Sequence, residues 1–270
     1  MNNVLNKDLI LPNGNKIPML ALGTWLIHGD DARLATKTAI NLGYRHIDTA
    51  QAYQNEEYVG LGIKESGIKR EDIFVTSKVA AEIKSYNEAK ASIDESLAKL
   101  GLDYIDLMII HCPQPWQEYG SAKRYEKENK DVWRALEEAY LEGKVRAIGV
   151  SNFSEYDIKN ILEDCKIRPM VNQILTHIGD TPIELIKYCE SENILLEAYS
   201  PIAHGKALDN PKILKMASKY GVSIAQLCIR YCLQLGMITL PKSTNPEHMK
   251  ANGEVDFEIS SEDMLELMDY

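Results

Sequence analysis

The sequence predicts an α/β fold: a single (β/α)8 TIM barrel with an N-terminal β-hairpin, one domain spanning residues 1–270. Three observations predict it. Short apolar runs alternate with helical patterns along the chain, eight such runs can be counted, and 270 residues suits one barrel of typically about 250. An open doubly wound sheet is the alternative, but it needs G-x-G-x-x-G between a strand and a helix. No such run occurs, and Gly60-Leu61-Gly62 lies inside a helical pattern instead.

The hairpin is read from Leu9-Ile10-Leu11 and Ile17-Pro18-Met19, which flank the turn residues Pro12-Asn13-Gly14-Asn15. Barrel strands are then expected at Leu20–Gly23, Arg45–Asp48, Ile73–Lys78, Ile105–His111, Ala147–Val150, Met170–Gln173, Leu195–Tyr199 and Met237–Leu240. Most are short and too apolar for a half-exposed sheet, as parallel strands covered on both faces should be. Between them, Leu34, Thr38 and Leu42 recur at helical spacing, as do Ala89, Ile93, Leu97 and Leu100, and mark amphipathic helices. Ser85 with Glu88, and Thr181 with Pro182 and Glu184, have the spacing of helix-starting caps. Gly43, Gly101 and Gly143 stand where a left-handed residue would end a helix. The stretch from Cys112 to Lys130, with Pro113, Pro115, Trp116, Tyr119 and Tyr125, is longer than an ordinary barrel loop and is expected to border a ligand.

Composition narrows the function. With 45% hydrophobic and 26% charged residues, the chain is neither disordered nor fibrous. A formal charge of −10 disfavours nucleic acid or an anionic membrane as partner, so any anionic ligand must be held by a few local cations. The five cysteines are odd in number and lack paired ligand spacing, so neither a disulfide framework nor a metal site is expected. The N-terminus has no basic segment followed by an apolar core, and no run of 18 apolar residues occurs. The expectation is a cytoplasmic protein, acting as a monomer on a small molecule.

In a barrel enzyme the active site lies at the C-terminal ends of the strands, so the polar residues expected there are the candidates. Asp48, Lys78 and His111 end the second, third and fourth strands; Ser151 and Asn152 follow the fifth; Gln173 ends the sixth, Tyr199 the seventh; and Lys242 follows the eighth. All converge on one rim. Any one of them could be a chain leaving the core, but four ionisable side chains together weaken that reading.

At these residues the sequence resembles the aldo-keto reductase family, in bacterial-type members of the 2,5-diketo-gluconate reductase kind. The resemblance runs over nearly the whole chain. It is carried by Gly43-Tyr44-Arg45-His46-Ile47-Asp48-Thr49-Ala50 with Tyr53 and Asn55-Glu56, by Lys78, and by Leu107–His111. It continues through Ile148-Gly149-Val150-Ser151-Asn152-Phe153, Asn172-Gln173, Ala198-Tyr199-Ser200-Pro201 and Leu240-Pro241-Lys242-Ser243. The resemblance implies NADPH-dependent reduction of aldehydes and ketones, with Asp48, Tyr53, Lys78 and His111 as the catalytic four. Hydride delivery to a carbonyl leaves an alkoxide-like oxygen that needs a proton donor in an electropositive setting. Tyr53 is the donor, Lys78 is expected to lower its pKa, Asp48 to hold Lys78 charged, and His111 to orient the carbonyl.

The resemblance also places the nicotinamide against Tyr199, its carboxamide on Ser151, Asn152 and Gln173, near Gly23 and Thr24. Pyrophosphate and adenosine phosphate lie towards Ser200, Lys242, Ser243, His248 and Asn252, at a helix start that favours phosphate. Trp25, Tyr53, His111, Cys112 and Trp116 form the substrate pocket. His248 stands where relatives often carry Arg, so the preference for NADPH is expected to be weakened and NADH to bind less tightly. Two other readings compete. Lys78 could be a Schiff-base nucleophile, which a charge-holding Asp48 argues against, or the barrel could bind NADPH in a sensing role with little turnover.

Overall fold

The computed structural model describes residues 3–270. The hairpin pairs β1 (Asp8–Ile10) antiparallel with β2 (Lys16–Pro18). Eight parallel strands follow in sequential order: β3 (Leu22–Gly23), β4 (His46–Asp48), β5 (Phe74–Val79), β6 (Leu107–Ile110), β7 (Ile148–Ser151), β8 (Val171–Leu175), β9 (Leu195–Tyr199) and β10 (Ile238–Leu240). Single bridges from Leu20 to Thr239 and from Gly23 to Lys242 join the first strand to the last and close the barrel. All eight expected strands are present. The first is shortened to two residues, because Leu20 makes only an isolated bridge.

The helices are α1 (Gly29–Asn41), α2 (Glu56–Ser66), α3 (Tyr86–Leu100), α4 (Glu126–Leu141), α5 (Glu155–Leu162), α6 (Ile183–Ser191), α7 (Pro211–Tyr220), α8 (Ile224–Gln234), α9 (Pro246–Gly253) and α10 (Ser261–Met268). One apolar cluster fills the space between these helices and the strands. A second fills the barrel interior, where Leu11 and Ile17 from the hairpin region pack with Phe74, Leu107, Ala147 and Ile238. These are early strand residues, so the hairpin stoppers the N-terminal end of the barrel and the polar strand ends are left at the other.

Three local expectations are corrected. The buried face of α1 is Ala32, Ala35, Thr36, Ala39 and Ile40, whereas Leu34 is exposed. Small residues win because α2 crosses α1 closely: a Cβ on Gly62 would lie 2.5 Å from the Arg33 carbonyl oxygen. Thr181 does not cap α6; its hydroxyl donates to the His177 carbonyl and bonds the Tyr231 hydroxyl, and Pro182 occupies the cap position. The long loop after β6 ends at Tyr125, because α4 already starts at Glu126. Inside that loop the buried Gln114 amide accepts from the Gly120 amide and donates to the Ser121 carbonyl, which fixes its path. Ser85 and Gly101 do bound α3 as expected.

Gly60 of α2 faces the end of α3, where any Cβ would overlap the Leu100 carbonyl. Gly60→Ala is therefore expected to destabilise the fold by about 1–3 kcal/mol, the usual cost of overpacking. Exposed Leu61→Ala is the control. Equal thermal midpoints for the two variants would contradict the tight crossing.

Candidate active site

Lys78 lies near the C-terminal end of β5 with no accessible surface. Its Nζ donates to Asp48 Oδ1 at 2.7 Å, to the Thr49 carbonyl at 2.8 Å and to the Tyr53 hydroxyl at 3.3 Å. An ammonium has three hydrogens, and all three are placed. Burial is the largest influence and works against the charge, but attraction to Asp48, reinforced by Tyr53, carries the Lys78 pKa above its ordinary value.

Neighbouring elements hold these acceptors in position. Asp48 ends β4, and its carbonyl accepts from the Thr24 amide at 3.0 Å and the Thr24 hydroxyl at 2.9 Å. Asn55 donates to the Thr24 and Ile27 carbonyls, both at 2.9 Å, and accepts from the Thr49 hydroxyl at 2.7 Å. Tyr53 is half-buried in a 3₁₀ turn, Gln51–Tyr53, that Gln54 leaves in a left-handed conformation (φ 55°). Gln51 fastens this turn to α3 through the Ser92 carbonyl and Ser96 hydroxyl, and to the end of β5 through the Ala80 amide.

The expected lowering of the Tyr53 pKa is corrected. Lys78 does pull it down, but burial is the larger effect and the net shift is upward. The group is thus a neutral phenol beside a cation. His111 follows β6 and meets Tyr53 and Trp116 edge-on, with ring centroids 5.5 and 5.1 Å away. Burial, with repulsion from Lys78, holds its pKa well below 6.5, so the imidazole is neutral. Its buried Nδ1 has no protein partner.

Beside these four lies a polar floor. Gln173 on β8 donates from Nε2 to Asp48 Oδ2 at 2.9 Å and to Glu197 Oε2 at 2.7 Å. The Ser151 hydroxyl donates to the Gln173 carbonyl at 2.8 Å, and Asn152 Nδ2 donates to Ser151 Oγ and the His111 carbonyl, both at 3.1 Å. Tyr199 completes the set by donating to Asn152 Oδ1 at 2.8 Å. Asp48, Tyr53, Lys78, Ser151, Asn152, Gln173 and Tyr199 thus belong to one connected hydrogen-bond network, which reaches His111 through its main chain.

Other predicted residues take different places. The Thr24 side chain is committed to Asp48, and Gly23 is buried in β3 against the Leu240 carbonyl. Lys242 and His248 are exposed, while Ser243 and Asn252 are buried at the start and end of the segment carrying α9. The first amides of α9 are already capped: Asn245 Oδ1 accepts from the amides of Glu247 and His248. Side chains rather than this helix end are left to meet an anion. Ser200 has left-handed backbone (φ 52°) with its hydroxyl 3.4 Å from His204 Nδ1, and His204 meets Trp25 edge-on at 5.2 Å. Trp25 and Trp116 are exposed at the rim, joined by Tyr119 stacked edge-on against Trp116. Cys112 presents no accessible surface, and burial pushes its thiol up to about 11. Glu197 was not singled out from the sequence, and Asn55 was named only as part of the motif that carries the resemblance, with no role given to it. A carboxylate at the centre of the apolar strand Leu195–Tyr199 is the signal that could have found the first.

Among the described residues, no group of three or more His, Cys, Asp or Glu side chains is arranged to hold a metal ion, and no helix is long and apolar enough to cross a membrane.

A buried lysine thus lies between an aspartate and a tyrosine at the mouth of a parallel barrel, and the chain belongs to the Aldo/keto reductase family, which it matches over residues 19–269 and which makes it an oxidoreductase. It is similar to the glyoxal reductase of Bacillus subtilis (strain 168), 45% identical over 96% of this chain and 91% of the relative. Similarity to the glycerol 2-dehydrogenase (NADP(+)) of Saccharomyces cerevisiae is 39% identity over 95% of this chain and 88% of the relative. Among solved structures, the Bombyx mori aldo-keto reductase in complex with NADP superposes with a TM-score of 0.87 at 35% identity, covering 97% of this chain and 92% of the other.

Burial also holds His46 neutral, with its pKa at about 4. The ring resonances of His46 and His111 are therefore expected to stay still in an NMR titration between about pH 7.5 and 6, where a free histidine would gain its proton. A midpoint for His111 inside that interval would contradict its neutral state.

Proposed function

We propose that the protein reduces aldehydes and ketones to alcohols with NADPH, and that Tyr53 is the proton donor. The observation that carries this reading is the Lys78 ammonium, held by Asp48 and set 3.3 Å from the Tyr53 hydroxyl at the strand ends. The residues present fit a nicotinamide. The amide oxygen of Gln173 accepts none of the described hydrogen bonds, and Asn152 Oδ1 and Ser151 Oγ each keep a lone pair, so the floor offers acceptors for a carboxamide NH2. When bound, the reduced nicotinamide supplies the hydride.

The chain's own residues supply the rest. Tyr53 transfers its hydroxyl proton to the carbonyl oxygen as charge develops there, and Lys78 stabilises the phenolate left behind. Asp48 keeps Lys78 cationic, which disfavours its use as an amine nucleophile. Neutral His111 gives a ring N–H to the same carbonyl oxygen and fixes its direction. Trp25, Trp116 and Tyr119 wall a mouth suited to small carbonyl compounds, and the likeness to a glyoxal reductase favours short aldehydes and dicarbonyls. Tyr53→Phe is expected to abolish turnover in an NADPH-absorbance assay while cofactor binding stays near wild type. More than a tenth of wild-type turnover would remove Tyr53 from this role. Tight NADPH binding by the wild type without turnover over a broad carbonyl panel would instead favour a sensing barrel.

The 2′-phosphate of NADPH is proposed to meet Lys242, Ser243 and His248, with Asn252 near the adenine. Arginine offers a permanent charge and a two-pronged fork, which histidine does not. A charged contact contributes about 1.5–3 kcal/mol and a neutral one about 1 kcal/mol. His248→Arg is therefore expected to tighten NADPH several-fold and leave NADH nearly unchanged, and Lys242→Ala to weaken NADPH more than NADH. Dissociation constants at fixed pH and salt decide it: equal weakening of both cofactors by Lys242→Ala would overturn the placement.

A further inference from the structure

Glu197 sits in the middle of β9 with no accessible surface. Its strand is otherwise Leu195, Leu196, Ala198 and Tyr199, and its register partners are Gln173 on β8 and Ile238 on β10. A hydrophobic side chain of similar volume would fill this position at no desolvation cost. Instead, Glu197 Oε2 accepts from Gln173 Nε2 at 2.7 Å, while Oε1 is buried without any partner. The same nitrogen donates to Asp48 Oδ2 at 2.9 Å.

An amide NH2 has two hydrogens, and two carboxyl oxygens take both. Neither carboxyl group faces the amide oxygen of Gln173. With Asp48 alone as acceptor, one N–H of Gln173 would lack its partner and the amide could rotate. With both, its orientation is fixed. We infer that Glu197 is a positioning residue: paired with Asp48 across the Gln173 amide, it fixes which end of that amide meets the nicotinamide carboxamide. This rests on the cofactor placement proposed above.

The charge state suits the role. Burial, with repulsion from Asp48, pushes the Glu197 carboxyl up to about 8, so near neutrality it is uncharged, with Oε2 accepting from Gln173 as the carbonyl oxygen and the acid proton on the unpartnered Oε1. The charged groups facing it are Asp48 of β4 and Lys78 of β5, while β8 offers Gln173 and β10 the apolar Ile238. A neutral Glu197 orients Gln173 without competing with Asp48 for the Lys78 ammonium.

The test uses Glu197→Leu, which fills the space without an acceptor, Glu197→Met as a second such variant, and Glu197→Gln, which keeps an acceptor oxygen. In the cofactor-free wild type, the Gln173 side-chain amide protons are expected to be protected from solvent exchange by NMR. The Leu or Met variant is expected to lose that protection and to bind NADPH about tenfold more weakly by isothermal titration, the loss of roughly one hydrogen bond. Glu197→Gln is expected to restore both readouts, which a merely space-filling role would not require. Wild-type affinity in the Leu or Met variant, or rapid exchange of the Gln173 amide in the wild type, would overturn the inference. Failure of the wild type to bind any nicotinamide would instead bring down the cofactor placement, while the exchange measurement would still judge the Glu197–Gln173 contact.

Discussion

One buried charge organises the site. An ammonium without accessible surface is costly unless every hydrogen finds an acceptor and an opposite charge is close. Lys78 meets that demand with Asp48, the Thr49 carbonyl and the Tyr53 hydroxyl, which come from one strand end and the turn beyond it. The pairing of β4 with β5 brings that strand end beside Lys78. Thr24, Gln51 and Asn55 then fasten the turn to β3, β5 and α3. The cost of burying Lys78 is thus the reason for much of the ordered structure at the barrel mouth.

The same logic extends sideways. Asp48 uses one oxygen for Lys78 and the other for Gln173, so the group that sustains the cation also orients the polar floor. From the main-chain carbonyl of Gln173 the network passes to Ser151, Asn152 and Tyr199. A displacement of Asp48 would therefore be felt both at Lys78 with Tyr53 and at the side-chain amide of Gln173. Tyr53 and the polar floor share one support.

Much of this was legible in the sequence because of simple patterns. Buried parallel strands read as short apolar runs, and an ionisable residue at the C-terminal end of such a run marks where the chain leaves the barrel, so Asp48, Lys78 and His111 could be placed by inspection. What escaped were effects that need neighbours. Leu34 looked like a core residue, but the close approach of α2 leaves the face that carries Ala32, Ala35, Thr36, Ala39 and Ile40 as the buried one. Thr181 looked like a cap but had a better partner in Tyr231. The net shift of Tyr53 depends on how much burial opposes Lys78, a balance that spacing does not encode. Glu197 went unnoticed because its meaning lies in Gln173, on the adjacent strand.

The burial of Cys112 has a consequence for self-preservation. Aldehydes and dicarbonyls are electrophiles whose carbonyl carbon a thiolate attacks, and this thiol follows directly after His111. Cys112 is both inaccessible and pushed up to about 11, Cys189 also to about 11 and Cys228 to about 12. A protonated, inaccessible thiol is a poor nucleophile. An electrophile entering the cleft thus encounters a phenol and an imidazole, while the sulfur closest in sequence to His111 is shielded from hemithioacetal formation with the compounds the proposed reaction would remove.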